Sequence, residues 1–222
     1  MSGMNRPQGP IKRRAAFKAT NQRVLIVCEG VKTEPGYFNE LRDFYELTTA
    51  SVYATGDCGS DPLSVVDYGV KLYKEERQKG DEYDFVFFVF DKDSHRTYGA
   101  AMERAKSLKP AGVFKAIPSV PCFEYWYLLH YQYTTQPFER AGAKSPADCL
   151  IGTLKKHHWP DYTKAGKGVI GHLGGRLSDA ITHSKRAIIE CSKNQTDHPS
   201  TLVHELVEHL KSMNPLRKDA TY

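Results

Sequence analysis

Two apolar runs in the first half of the chain end in acidic residues. Residues 23–29 read RVLIVCE and residues 85–93 read FVFFVFDKD, without alternation of apolar and polar side chains. Continuous runs of β-branched and aromatic residues are typical of strands buried on both faces of a sheet. The pattern therefore predicts two internal strands of an α/β sheet.

Helix and strand patterns alternate around these runs. Helices are predicted over residues 33–47, 62–76 and 98–108, with Thr33 and Asp61 as start signals for the first two. Shorter strands are predicted over residues 51–55 and 113–120. The order β-α-β-α-β-α-β predicts an α/β fold with a mostly parallel four-stranded sheet and helices on both faces.

The second half of the chain is predicted to be helical. Residues 122–131 (CFEYWYLLHY) form an apolar run without strand alternation, which predicts a buried helix against the sheet. Further helices are predicted over residues 145–157, 176–191 and 199–213, and the glycine-rich residues 166–175 are predicted to be a loop. We expect three parts: a basic arm (1–20), an α/β core (21–133) and a helical extension packed on that core (134–222).

Composition is that of a folded protein, with 40% hydrophobic and 26% charged residues in a chain of 222. No apolar run approaches the roughly 20 residues of a membrane span, and the first residues lack the apolar core of a signal peptide. We therefore expect a cytoplasmic protein that does not associate with membranes. Five scattered cysteines without a CxxC pair argue against structural zinc and disulfides.

The net charge of +5 is unevenly distributed. The first 28 residues contain no acidic side chain but several basic ones, together with Pro7, Gly9 and Pro10. The arm formed by residues 1–20 of this segment is predicted to be disordered. It could follow a phosphate backbone, or it could be an ordinary basic tail.

The acidic strand ends suggest a metal site. Asp91 and Asp93 are two residues apart on an extended segment, so their side chains point to the same side, roughly 6.5–7 Å apart along the strand. Glu29 ends the other internal strand and would meet them at the carboxyl edge of the sheet. Three carboxylates repel one another unless a divalent cation lies among them, and Mg²⁺ or Mn²⁺ fits oxygen ligands. Alternatively, Asp93 and Ser94 could cap the helix that follows.

Other candidates have two explanations each. Glu124 lies in an apolar helix, so it could join the same sheet edge or form a structural ion pair. Glu34 could add a carboxylate or only benefit from the helix dipole, and His130 could be an acid, a phosphate contact or a core residue. Lys32 and Lys92 flank the acidic turns, where they could bind the substrate backbone or reduce carboxylate repulsion.

Basic and aromatic residues also interleave near residue 160. This mixture suits a nucleic-acid surface but is equally common on a solvated face; it comprises Lys155, Lys156, His157, His158, Trp159, Tyr162, Lys164 and Lys167.

A strand ending in Asp-x-Asp also occurs in phosphatases of the haloacid dehalogenase type, but there it is the first strand. Here it is the third, and an acid followed by Gly30 ends the first strand. This combination resembles the Toprim fold of topoisomerases, primases and OLD-type nucleases. In that family a glutamate and two aspartates assemble a Mg²⁺ site for phosphodiester chemistry.

Further motifs resemble the RloB-like family, Toprim-related proteins of prokaryotic defence islands. They occur in order between about residues 24 and 210: VCEG with KTE, FDKD, PCFE with Trp126 and LLH, Tyr162-Thr163-Lys164, and PST with Val203. Val31 stands where an acid is expected.

The resemblance implies a Mg²⁺-dependent (or Mn²⁺-dependent) nuclease of antiviral defence, with RNA, and transfer RNA in particular, preferred over DNA. Glu29, Asp91, Asp93, Glu124 and His130 are the candidate catalytic residues, and the first three are the candidate metal site. Asp91 and Asp93 would hold the metal and Glu29 would act as general base. The nucleic acid would contact Lys32, Lys92, Tyr162 and Lys164.

The resemblance also suggests a separately encoded ATPase partner, since the chain lacks a Walker-type phosphate loop of its own. The chain could form a homodimer. Two other functions stay open: a phosphatase or phosphotransferase acting on a small substrate, and a noncatalytic module that binds nucleic acid.

Overall fold

The computed structural model describes residues 22–49, 51–92 and 95–215. The predicted basic arm and Asp93 lie outside these residues. The strands are β1 (Val24–Cys28), β2 (Val52–Thr55), β3 (Phe85–Asp91), β4 (Phe114–Val120) and β5 (Ser200–Thr201). The helices are α1 (Thr33–Phe44), α2 (Pro62–Gln78), α3 (Tyr98–Ser107), α4 (Glu124–Leu129), α5 (Pro146–His157), α6 (Val169–Leu173), α7 (Leu177–Lys193) and α8 (Val203–Met213), with a 3₁₀ turn at Gly174–Arg176.

The strands form one sheet in the order β2-β1-β3-β4-β5. The first four strands pair in parallel, which confirms the predicted α/β class and is consistent with a Toprim-like fold. β5 pairs antiparallel with β4 and adds a fifth strand to the predicted four. The helix predicted from residue 199 therefore begins at Val203 instead, because a two-residue strand is too short to show a period in the sequence.

Both faces of the sheet are covered by helices, which explains the continuous apolar runs. Val24, Ile26 and Cys28 of β1 face α1 and the helices that follow β4. Leu25 and Val27 face α2 and α3 on the other side. Since successive side chains of a strand point to opposite faces, a strand covered on both faces needs an apolar residue at every position.

The helices of the second half share the core of the sheet. Leu150 of α5, Leu177 of α7 and Leu206 of α8 are at most 3% exposed and belong to the same buried cluster as Ile26. The predicted packing of helices against the sheet is thus seen, while the domain boundary at residue 134 stays a prediction.

The prediction of a loop over residues 166–175 was wrong in part. α6 and the 3₁₀ turn occupy most of this range. Gly171, Gly174 and Gly175 disfavour helix by propensity, but Ile170 and Leu173 on the same turn are buried in the core. Tertiary packing thus overrides the local preference for a loop.

No helix in the described ranges is long and apolar enough to cross a membrane.

Candidate functional site

Two parallel neighbouring strands bring Glu29 and Asp91 together. β1 and β3 pair in register up to Cys28 and Val89, and the Glu29 N–H donates to the Val89 carbonyl at 3.0 Å. The Glu29 Oε2 atom then accepts a hydrogen bond from the Asp91 N–H at 2.9 Å. The predicted convergence of these two acidic residues at the carboxyl edge of the sheet is therefore present in the structure.

His95 holds the other oxygen of Glu29. Its Nε2 atom lies 2.9 Å from Glu29 Oε1. The Glu29 carboxylate is thus oriented by a backbone N–H on one side and an imidazole on the other. The sequence contained one signal for this contact, a histidine two residues after the Asp-x-Asp motif, which our sequence analysis did not use.

The Asp91 carboxyl group lies in an unfavourable environment for a negative charge. Its desolvation raises the pKa well above 3.8, and the negative charges of Glu34, Glu124 and Glu29 raise it further. A hydrogen bond with the Phe123 backbone opposes the rise. A desolvated carboxylate that is repelled by three acidic neighbours is costly to keep charged.

Glu34 joins this cluster from the first turn of α1. The residue is 8% exposed, and burial raises its pKa to about 7, with Glu124 and Glu29 adding repulsion and Lys164 opposing it. Gly30 permits the approach, since a Cβ atom there would lie 2.9 Å from Glu34 Oε2. The helix dipole alone does not require such burial, so the structure favours a place for Glu34 in the site.

Glu124 begins α4 and is 2% exposed. Its Oε1 atom accepts a hydrogen bond from the Tyr162 hydroxyl at 2.8 Å, and Lys164 Nζ lies 3.8 Å away. The pKa of the Lys164 ammonium is raised chiefly by Glu124. Both explanations considered for Glu124 therefore apply together, because it reaches the acidic cluster and has a lysine partner.

The segment that carries Tyr162 and Lys164 is tied to α1. The Thr33 hydroxyl donates to the Lys164 carbonyl at 2.6 Å. The Glu40 carboxylate accepts from the backbone N–H groups of Gly168 at 2.7 Å and Ile170 at 2.9 Å. This segment thus forms one wall of the site through Lys164, which lies 73 positions after Asp91 in the sequence.

The walls enclose a cleft of about 280 Å³ at the carboxyl edge of the sheet. It is lined by Glu29, Gly30, Val31, Lys32, Thr33, Glu34, Ser60, Asp91 and Lys164. Three of these residues are acidic (Glu29, Glu34 and Asp91) and two are lysines (Lys32 and Lys164). We call it the acidic cleft.

Three residues that the sequence predicted for the site do not line the cleft: Tyr162, Lys92 and His130. Tyr162 is only 3% exposed, so in this conformation its ring is not accessible to a nucleobase. Lys92 Nζ contacts both carboxylate oxygens of Asp197, at 2.8 and 2.7 Å. Lys32 is exposed and Lys164 lines the cleft, so these two lysines are available to a substrate.

His130 lies apart from the acidic cluster. It is 2% exposed, its Nδ1 atom is 2.9 Å from the Trp126 carbonyl, and its ring packs edge-on against Trp126. Burial lowers its pKa to about 4, and the charged groups that act on it are Arg176 and His183. Of its three proposed roles, the position of His130 fits a core residue.

The donor chemistry of the acidic cleft fits a divalent cation. Asp91 and Glu34 are carboxyl groups whose pKa is raised by burial and mutual repulsion, a surplus of negative charge that a cation would offset. Within residues 22–49, 51–92 and 95–215, no three His, Cys, Asp or Glu side chains are already arranged as metal ligands. Asp93, the other predicted ligand, is outside these ranges.

Replacing Tyr162 by phenylalanine is expected to destabilise the chain by roughly 1.5–3 kcal/mol, the usual worth of a hydrogen bond to a charged group. The change keeps the buried ring but removes the donor to Glu124 Oε1. Urea unfolding of the variant and of Tyr53→Phe, a ring that is 46% exposed, measures the difference. Equal midpoints for the two variants would contradict this role.

Comparison with known proteins agrees with the motif order. A family model described as RloB-like protein matches residues 24–210. No curated protein and no solved structure matches the chain. The family match runs from β1 into α8 and includes every residue that lines the acidic cleft. It confirms the resemblance drawn from the sequence, and the chain belongs to the RloB-like family.

Proposed function

We propose that this protein is a metal-dependent nuclease that cleaves phosphodiester bonds in the acidic cleft, as part of a prokaryotic antiviral defence system. The observation that carries the proposal is the partly buried, desolvated carboxyl group of Asp91, which Glu29, Glu34 and Glu124 surround at the carboxyl edge of a parallel sheet. Ligands of open α/β sheets bind at this edge.

The acidic residues of the cleft support the proposal that a divalent cation binds there. Asp91, Asp93 and Glu34 are the residues that would hold Mg²⁺ or Mn²⁺. When bound, the ion would polarise the scissile phosphate and stabilise charge on the leaving oxygen. Without a cation, the acidic cluster would repel a phosphodiester. This cluster consists of Asp91 and its neighbours Glu29, Glu34 and Glu124.

Glu29 would act as the general base. Its carboxylate is fixed by the Asp91 N–H and by His95, and the side chain is 12% exposed at the cleft wall. A positioned carboxylate can accept a proton from a water molecule or hydroxyl group without being a metal ligand. His95 would be a positioning residue, because it contacts Glu29.

The lysines of the cleft would bind the substrate. Lys32 and Lys164 line the walls and carry charges that complement a phosphate backbone. Lys164 is held in place through its own carbonyl by Thr33 and through its ammonium group by Glu124. RNA, and transfer RNA in particular, is the substrate that the family resemblance favours, and an ATPase encoded separately is the proposed partner.

Sequencing of nucleic-acid ends tests this proposal. Wild-type chain and a Glu29→Gln variant are expressed in cells together with the proposed ATPase partner, and RNA and DNA ends are sequenced. We expect new ends, mainly in RNA, with the wild type and at least about a 100-fold reduction with the variant, the order of loss when one preorganised polar group is removed.

Two further measurements separate the alternatives. A Glu75→Gln variant, in an exposed position of α2, should produce the same ends as the wild type. Release of phosphate from an aryl phosphate with intact nucleic acids would replace the nuclease by a phosphatase. Unchanged cellular activity of Glu29→Gln would instead show that the module acts without catalysis.

A further inference from the structure

A row of planar side chains leads from the acidic cleft to the surface of the helical half. The Tyr162 ring, whose hydroxyl binds Glu124, lies 5.1 Å from the Trp159 ring, centre to centre. Trp159 is stacked on His172, with ring centres 4.1 Å apart and planes inclined by 17°. Tyr131 continues the row 6.3 Å beyond His172. We call this set the aromatic row.

An open pocket lies at the outer end of the aromatic row. It has a volume of about 340 Å³ and is lined by Gly171, His172, Gly175 and Arg176. The Arg176 guanidinium carbon lies 5.1 Å from the centre of the Tyr131 ring. A flat ring and a guanidinium group therefore border the same concave surface, which we call the outer pocket.

The stretch of sequence that leads to the outer pocket is mainly basic. Between residues 155 and 176 the one acidic residue is Asp161, whereas Lys155, Lys156, Lys164, Lys167 and Arg176 are basic. In the part of the chain that the structure describes, the ion pairs do not include Arg176, Lys155 or Lys156. Their charge is thus available to an anionic ligand.

The histidine of the outer pocket offers a flat surface. Burial and the neighbouring Arg176 lower the pKa of His172 below its usual 6.5. The imidazole is therefore mainly neutral at pH 7. A neutral ring with a stacked tryptophan behind it is a platform for another π system, while the adjacent guanidinium supplies the positive charge.

We propose that the outer pocket is a second binding site for single-stranded nucleic acid, in which one unpaired base stacks on His172 and an adjoining phosphate pairs with Arg176. The proposal rests on the proposed function in one respect: the strand held there is the substrate of the acidic cleft. Planar stacking surfaces with interspersed cations are the usual means of holding unpaired strands without sequence readout.

The glycines of the outer pocket make the proposal testable without loss of folding. Gly171 and Gly175 have no heavy atom within 4 Å of a built Cβ atom, so a side chain there meets open space. Gly171 lies in α6, where replacement of glycine removes an unfavourable helix residue. A Gly171→Leu variant should fill the pocket and keep the thermal stability of the wild type.

The experiment is fluorescence anisotropy with the full chain and a fluorescein-labelled single-stranded RNA of about 12 nucleotides. EDTA is present, so binding is measured without cleavage. We expect His172→Ala and Gly171→Leu each to weaken binding by about fivefold or more, as expected for the loss of one stacked base. Arg176→Ala should weaken binding through the loss of a phosphate contact. Arg176→Ala should also lower the slope of log affinity against log salt by about 0.7.

Matched controls lie on the opposite face of the sheet. Gly99→Leu in α3 is also an exposed helical glycine with open space at its Cβ atom, and Lys74→Ala removes an exposed cation of α2. Both should bind RNA like the wild type. Wild-type affinity of Gly171→Leu and Arg176→Ala would overturn the proposal, as would equal displacement of the RNA by polyglutamate, which would indicate an acidic protein partner.

The nuclease proposal and the outer-pocket proposal can be contradicted independently of each other. Loss of RNA binding in the outer-pocket variants, together with an absence of new nucleic-acid ends in cells, would leave a binding site without nuclease activity. New ends that require Glu29, together with unchanged RNA binding by the outer-pocket variants, would retain the nuclease and remove the second site.

Discussion

Replacement of Asp91 by asparagine is expected to reduce nucleic-acid cleavage by at least about 100-fold while it stabilises the fold at neutral pH. The activity falls because the variant loses the central carboxylate of the acidic cleft. The fold gains because asparagine carries no charge where Glu29, Glu34 and Glu124 already repel one. A residue retained at a cost in stability is typical of a functional site.

The sign of the pH dependence follows from the direction of the Asp91 shift. Its pKa is raised in the folded chain above the ordinary value of 3.8. The associated stability is therefore fully present below pH 3.8 and is lost as the pH rises through the raised value. In EDTA, urea unfolding between pH 5 and pH 8 should show a smaller loss of stability for Asp91→Asn than for the wild type.

The pH dependence that Glu34 contributes can be compared with that of Asp91 in the same chain. Its pKa is raised from 4.5 to about 7, so its stabilising proton is also lost as the pH rises toward neutrality. This dependence should persist in Asp91→Asn, because the Glu34 pKa is raised by burial and by Glu124 and Glu29. A wild-type pH profile in the asparagine variant would contradict the raised pKa of Asp91.

The effect of Mg²⁺ on thermal stability tests the proposed metal site without a measurement of nuclease activity. Binding of an ion to the folded chain raises its apparent stability by mass action. We expect Mg²⁺ to raise the melting temperature of the wild type and to have less effect on Asp91→Asn. An equal rise for both chains would show that Asp91 does not hold the ion.

Replacement of Gly56 by alanine is expected to destabilise the fold by roughly 1–3 kcal/mol and to disrupt the acidic cleft. Gly56 follows β2 and packs directly on the turn after β1. A Cβ atom there would overlap the Gly30 carbonyl oxygen, and it would lie 2.6 Å from the Gly30 carbonyl carbon and 2.8 Å from Val31 Cα. These are backbone atoms, so a change of rotamer cannot relieve the overlap.

The displacement of this turn should affect function beyond the loss of stability. The turn begins directly after Glu29, the proposed general base. Cleavage by Gly56→Ala should therefore fall even at a temperature where circular dichroism shows a folded chain. Gly99→Ala is the matched control, because its Cβ atom meets open space. Similar unfolding midpoints for the two alanine variants would refute the close approach.

The sequence alone determined the sheet and the acidic core of the site. Apolar residues at every position of β1 and at residues 85–90 of β3 required burial on both faces, and the regular alternation with helices required parallel strands. Once the strands are parallel neighbours, their carboxyl ends coincide. The meeting of Glu29 and Asp91 therefore followed from the order of the elements, without knowledge of side-chain contacts.

Only the tertiary structure decided which distant residues complete the acidic cleft. Tyr162 reaches Glu124 across 38 positions, and Thr33 reaches the Lys164 carbonyl across 131. The sequence period of a helix shows which face is buried but not which side chain of another element it meets. The burial of Glu34 and the contact of His95 with Glu29 likewise depend on how the turns fold over the sheet edge.

The same limit explains the residues that the structure moved away from the cleft. Lys92 follows the acidic strand directly, yet its ammonium group pairs with Asp197, which the fold brings beside it from 105 positions away. His130 shares a motif with Glu124, but the turn of α4 directs it into the helical core. Position along the chain places a backbone at the sheet edge, whereas the packing of the other elements determines where each side chain points. The acidic pair is thus a property of the sequence pattern, and the cleft that surrounds it is a product of long-range packing.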